Sequence, residues 1–249
     1  MFKIMNYEPV QEGNPHQLTV RQHVFPVACI KRFVNLRNNV RVFYTDIRQS
    51  RWRSPTHDTF CAMRKWDQQT ESDFMKEVED NYHEIADSYF MTPGELRAEE
   101  NNAVTAFYLL WLYRAKYRDR ESLRIKLKTV DSTTVTKDTE ELMEKNNVLT
   151  VASDGTVSMR HFIGMDIMDG VEMNAEKLNI KWRCLHFDGG NLIVPDRPTQ
   201  LAYIPLAPRK AFIGFGEGVT KPELMTPEFL NGIVNKDALK YKFQFDAGY

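Results

Sequence analysis

Across residues 67–89 the apolar side chains Phe74, Val78, Tyr82, Ile85 and Tyr89 recur three or four positions apart, the spacing of one helical face. Asp67 stands where an N-cap belongs, and Pro93 lies beyond the end. Residues 95–118 predict a second long helix with an apolar centre, Phe107 to Trp111, and a basic last turn suited to the helix dipole. A third helix is expected over 159–178 although Gly164 and Gly170 each cost about 1 kcal/mol relative to alanine. Short β-branched or aromatic runs at 40–46 and 59–63 predict strands with a polar, basic loop between them. Runs at 180–187 and 191–194 flank Asp188-Gly189-Gly190, a hairpin signature, and 201–206 and 211–215 add two further strands. Pro195, Pro198, Pro205 and Pro208 belong at sheet edges or in turns, because proline lacks the N–H that a central strand donates. Thr-rich residues 129–137 favour a loop or an exposed strand. No repeat or linker divides the 249 residues. The expected architecture is one α+β domain over residues 1–249, with long helices in the first half and a mainly antiparallel sheet largely from the second.

Charge comes in blocks that composition conceals. Lys31 to Lys65 carry nine basic residues against Asp46 and Asp58. Asp67 to Glu100 carry eleven carboxylates against Lys76 and Arg97, and Arg114 to Lys128 carry seven cations against Asp119 and Glu121. The blocks cancel to a net charge of −1, which excludes a polycation and favours pairing between blocks. Three scattered cysteines without a CxxC pair speak against a zinc cage or a disulfide framework. The longest apolar run, 106–113, is far shorter than the ~18 residues of a membrane span, and residues 1–10 contain no secretory h-region. A reduced, cytoplasmic protein with no membrane contact is expected.

Several familiar chemistries are missing from the chain. There is no Walker loop, G-x-S-x-G elbow, HExxH or EF-hand, and the cluster Gly214-Phe215-Gly216-Glu217-Gly218 lacks the helix start a phosphate cradle requires. Glu71 falls on the apolar face of the first long helix, with Glu79 eight residues later on nearly the same side. A buried carboxylate is costly unless it is paired or binds a metal, so Glu71 points either to a site or to an arginine partner such as Arg32 or Arg64. His23, abutting Val24-Phe25-Pro26, and Asp196, held between Pro195 and Arg197-Pro198, complete a candidate His23/Glu71/Glu79/Asp196 cluster. Separately, Arg41, Tyr44, Arg48, Arg51, Trp52 and Arg53 interleave cations with aromatic rings, the composition that holds single-stranded nucleic acid through phosphates and base stacking.

His23-Val24-Phe25-Pro26 followed by Ile30-Lys31-Arg32-Phe33 resembles the opening of a bacterial and prophage family known as domain of unknown function 4238. Glu71 and Glu79 resemble that family's two-glutamate helix, and Ala106-Phe107 with Arg114 its next helix. Trp182 through Asp196-Arg197-Pro198 and Ile204-Pro205-Leu206-Ala207-Pro208 are similar to its late strands. The resemblance spans about residues 16–215 and leaves 216–249 as a C-terminal extension. Phe25 replaces the usual Tyr, Pro195 a usual Ser or Thr, and Ala115-Lys116 a usual Thr-Pro. The resemblance implies no established reaction; it implies an accessory protein in a setting rich in antiviral defence and exclusion.

The leading expectation is therefore a defence or exclusion protein that binds nucleic acid, or a protein bound to nucleic acid, without a cofactor. The alternative is a metal-dependent hydrolase, such as a nuclease, holding a divalent cation with His23, Glu71, Glu79 and Asp196. A third is an oligomeric scaffold, for which 11 Met and 15 Phe supply adaptable apolar surface. Whether the protein is an enzyme is not written in any motif.

Overall fold

A computed structural model describes residues 7–130, 133–216 and 225–247. The chain adopts an α+β fold, with the two longest uninterrupted helical stretches early and most strands later. After β1 (Arg21–His23) and a short helix α1 (Val27–Lys31) comes a hairpin of β2 (Val40–Tyr44) and β3 (Gln49–Arg53), then β4 (Cys61–Met63). A wide π-type turn, Thr70–Phe74, leads into α2 (Met75–Met91), which packs against α3 (Ala98–Tyr117). There follow β5 (Arg124–Lys126), α4 (Lys137–Lys145), β6 (Thr156–Ser158), α5 (Met159–Ala175), β7 (Lys181–His186), β8 (Ile193–Pro195), β9 (Tyr203–Ala207), β10 (Lys210–Phe215), α6 (Pro227–Asp237) and β11 (Tyr241–Gln244).

Among the described residues every strand pairing is antiparallel, but the strands form four small sheets instead of one: β1-β4, β5-β6, β7-β10-β9 and β3-β2-β11-β8. Three expectations change as a result. The basic stretch after residue 46 is strand β3, in register with β2, and not a loop. The turn at Asp188-Gly189-Gly190 exists, with Gly190 at φ +73°, yet its flanking strands join different sheets: β7 pairs with β10 and β8 with β11. The C-terminal extension supplies β11, which lies between β2 and β8. Pro195 and Pro205 sit on edge strands, where the missing N–H leaves no ladder bond unmade.

One main core draws on both halves of the chain, from Val24 to Phe243. Phe25 packs against Phe107, Trp111 and Phe243, Phe60 meets Phe243 edge-on, and Tyr82 stacks on Phe107 at 3.6 Å. Phe107, Trp111, Arg114 and Arg118 follow one another at helical spacing along α3, so the face that anchors the aromatic core continues into two buried arginines. The glycines of α5 permit close approach. A Cβ on Gly164 would lie 1.9 Å from Asp67 Oδ2, and one on Gly170 2.2 Å from the Tyr113 ring. No helix among the described residues is long and apolar enough to cross a membrane.

Candidate functional site

The π-type turn decides where the two glutamates point. In a regular α-helix, eight residues overshoot full rounds by about 80°; one residue absorbed by a wide turn leaves Glu71 and Glu79 roughly 20° apart. The turn is marked by the Met75 amide donating to the Thr70 carbonyl five residues back, and by Asp67 Oδ1 accepting the Thr70 amide at 3.0 Å. Both carboxylates consequently meet one guanidinium. Arg114 Nη1 donates to Glu79 Oε1, and its Nη2 lies 3.9 Å from Glu71 Oε2, which also accepts the Trp66 indole N–H at 2.5 Å. The guanidinium stands 5.8 Å from the centre of the Trp66 ring, and its Nε contacts Met75 Sδ. The partner of Glu71 is thus Arg114, not Arg32 or Arg64. Those two pair elsewhere, with Asp87 and with Glu144 and Glu141.

His23 borders the same group. It ends β1 opposite Cys61, and its Nε2 lies 3.6 Å from Cys61 Sγ. Burial lowers the His23 pKa; a hydrogen bond to the Pro55 carbonyl opposes this, while Arg21 and Arg114 add to it, so the ring is neutral at pH 7. Burial raises the Glu71 pKa, outweighing Arg114 and Trp66. Burial also pushes the Cys61 thiol up to about 11, which makes it a packing group with little thiolate at pH 7. Two of the four expected cluster residues, Glu71 and Glu79, therefore share one arginine, and His23 lies close enough to feel the charges of Arg114 and Glu79.

Asp196 does not share that centre. Its side chain accepts from Arg118 Nη2 at 2.8 Å and from the amides of Leu239 and Lys240 at 2.9 and 3.0 Å. Those three bonds tie α3 to the segment entering β11 and leave the carboxylate committed to the fold. Among the described residues no three His, Cys, Asp or Glu side chains are grouped so as to hold a metal ion. The sequence-based ligand set is not assembled by this geometry.

The basic, aromatic residues are divided between two faces of the β3-β2-β11-β8 sheet. Residues directly opposite in an antiparallel ladder project to the same side. Arg41 opposes Trp52 and Gln244, while Phe43 opposes Ser50 and Lys242, so these six form one outer face. Val40, Val42, Tyr44, Tyr241 and Phe243 point to the opposite, core side. Of the six residues singled out for nucleic acid, only Arg41 and Trp52 belong to the outer face. Tyr44 is engaged inward, its hydroxyl 2.7 Å from Thr59 Oγ1 and accepting from Arg53 Nε at 2.9 Å. Arg51 and Arg53 project to that side from edge strand β3, and Arg48 lies in the connecting turn at φ +50°.

On the outer face Trp52 is 42% exposed, and the Lys242 ammonium sits 5.0 Å from the Phe43 ring centre. A cleft of about 290 Å³ runs here between Arg41, Phe43, Lys242 and Asn235 at the end of α6. Arg41 pairs with Asp246 at 2.7 Å, both partly exposed. Sequence reading missed Lys242 because its place beside Phe43 follows from strand register between residues two hundred positions apart. It missed Arg114 as a site residue because a basic last turn already had an explanation in the helix dipole. No family model, curated protein or solved structure matches the chain.

Proposed function

We propose that this protein binds single-stranded nucleic acid on the outer face of the β3-β2-β11-β8 sheet. The observation that carries the reading is the open row of Trp52 and Phe43 beside Arg41 and Lys242, set by strand register. Flat rings offer stacking platforms that tolerate any base, and adjacent cations meet the phosphates between stacked bases. The Arg41–Asp246 pair is no obstacle, since a solvated ion pair is worth only about 0–1 kcal/mol and a phosphate can replace the carboxylate.

The resemblance to domain of unknown function 4238 belongs to the same proposal, and with it an accessory role in exclusion or defence. Its support is spatial. The His23-to-Pro26 segment, the Glu71/Glu79 helix and the Asp196 strand, far apart in sequence, all attach to one face of α3 through Phe107, Trp111, Arg114 and Arg118. A pattern whose members meet on one helix is what a shared fold requires.

The test is fluorescence anisotropy with a labelled oligothymidylate at low salt. Trp52→Ala should weaken binding by about five- to a hundred-fold, the range for one lost stacking contact. Lys242→Ala and Arg41→Ala should each weaken it and flatten the salt dependence by about one phosphate contact. Undiminished binding by Trp52→Ala, or no binding of single-stranded DNA or RNA by the wild type, overturns the proposal.

A further inference from the structure

A sheet edge carries backbone N–H and C=O groups without a ladder partner, and folded proteins cover or blunt such edges. Among the described residues the two larger sheets end in four edge strands, and three of these are closed. Along β7 the Leu96 amide donates to the Trp182 carbonyl at 3.1 Å, and the Cys184 amide to the Gly94 carbonyl at 2.8 Å. β8 is short and lies under α6, whose Asn231 Oδ1 accepts the Ile193 amide at 2.8 Å, while the Tyr203 hydroxyl donates to the Ile193 carbonyl at 3.2 Å. All five residues of β9 are buried, and Pro205 in its middle has no N–H to offer.

The fourth edge, β3, is open. Gln49, Ser50, Arg51 and Trp52 are exposed and Arg53 is half-buried. Among the described residues their backbone groups bond only across the ladder to β2, apart from the Trp52 carbonyl, which meets Arg53 Nη1 at 3.3 Å. The charge of this edge is equally distinctive. Arg41 on the adjoining strand pairs with Asp246, but among the described residues no carboxylate lies within ion-pair distance of Arg48, Arg51 or Arg53. Arg51 opposes Val42 and Arg53 opposes Val40, so these two arginines line one side of β3 and leave Ser50 and Trp52 on the other.

We propose that β3 is a docking edge for an extended acidic segment of a partner protein, which joins the sheet as a fifth strand. The backbone of such a segment brings both donors and acceptors at the spacing of the groups that β3 turns outward. Every second side chain then lies beside Arg51 and Arg53, where a carboxylate gains and an ammonium loses. The side chains between them lie beside Ser50 and Trp52, a surface that suits β-branched or aromatic groups. A second copy of this chain would bring its own arginines to the same edge and be repelled. A nucleic-acid backbone offers acceptors to the arginines but no row of N–H donors to the edge carbonyls. The inference does not depend on nucleic acid binding to the outer face.

The experiment is fluorescence anisotropy of the full chain with a labelled, end-capped seven-residue peptide of alternating glutamate and valine. Saturable binding that weakens with added salt is expected, and none of the same peptide with lysine in place of glutamate. Two more peptides, one N-methylated on its valines and one on its glutamates, test strand addition. Only alternate amides of an added strand face the edge, so one of the two should lose binding and the other keep it. Arg51→Glu should weaken binding of the parent peptide about tenfold by setting like charges side by side. Circular dichroism should not change, because Arg51 is exposed. Absent binding of the acidic peptide, equal binding of the lysine peptide, identical behaviour of the two methylated peptides, or undiminished binding by Arg51→Glu overturns the proposal. Oligothymidylate that binds the wild type and not Arg51→Glu, while the acidic peptide binds neither, overturns it too and assigns the edge to nucleic acid.

Discussion

The first long helix and α4 both carry acids that pair with arginine away from solvent, and they do so in opposite ways. On the first long helix, Glu71 and Glu79 interrupt an apolar stripe and share Arg114, both remaining about one-fifth exposed on their side chains. On α4 the polarity is inverted. Glu140, Glu141 and Glu144 face inward while Leu142 and Met143 are exposed. Those glutamates join Glu8 in a network with Arg64, Arg124, Lys137 and Arg160, four carboxylates and four cations that balance. A lone acid on an apolar face is conspicuous in sequence. A helix held by charge alone looks like a solvated surface helix, because low-dielectric pairing leaves no trace in hydrophobic periodicity.

The sharpest way to break the comparison is to remove one cation from each region. Arg160→Met removes the guanidinium shared by Glu144 and Glu8 and leaves them only Arg64, Arg124 and Lys137, and breaking a buried pair costs about 3–5 kcal/mol. Arg114→Met leaves carboxylates that can still reach water, and should cost about 1–3 kcal/mol. Urea unfolding midpoints at constant m-value measure both, and equal losses would mean that the two regions do not differ in kind.

The pH dependence sharpens the same contrast. Burial alone would raise the Glu8 carboxyl, but Arg160, Lys137 and Arg124 hold it down to about 2 against an ordinary 4.5. A depressed folded-state pKa means the stabilisation is complete above pH 4.5 and is lost as pH falls from there through 2. The span amounts to on the order of 3 kcal/mol. Stability measured from pH 5 down to 2 should therefore decline less steeply in Glu8→Gln than in the wild type.

The smallest effect separates the π-type turn from ordinary helix. Gly164→Ala gains helix propensity, yet its Cβ would fall 1.9 Å from Asp67 Oδ2 and 2.3 Å from Thr70 Oγ1, so a net loss of about 1–2 kcal/mol is expected. Gly232→Ala on α6 meets nothing within 4 Å and should stabilise by about 0.5–1 kcal/mol. Thermal denaturation of the two variants should shift in opposite directions.

Much of the candidate site was legible because its residues break local rules. Glu71 was conspicuous on an apolar face, and it shares Arg114 with Glu79. Arg114 stood in the sequence only as part of a helix resemblance and a charge block, because the carboxylates it pairs with lie on another helix, and Asp196 misled because a carboxylate between prolines reads alike as ligand or brace. Arg114–Glu79 and Arg32–Asp87 join neighbouring charge blocks, whereas Arg64 pairs with Glu144 and Arg118 with Asp196, both acids lying outside them.

The sequence by itself determined the α+β class, the three long helices and the edge placement of Pro195 and Pro205, since each follows from periodicity or backbone chemistry within a few residues. Tertiary structure alone decided that the strands split into four sheets, that β11 is central, that Trp52 and Lys242 share a face, and that α4 turns its acids inward. Those outcomes depend on hydrogen bonds and ion pairs between residues tens to hundreds of positions apart. Nothing in a local pattern specifies such partners.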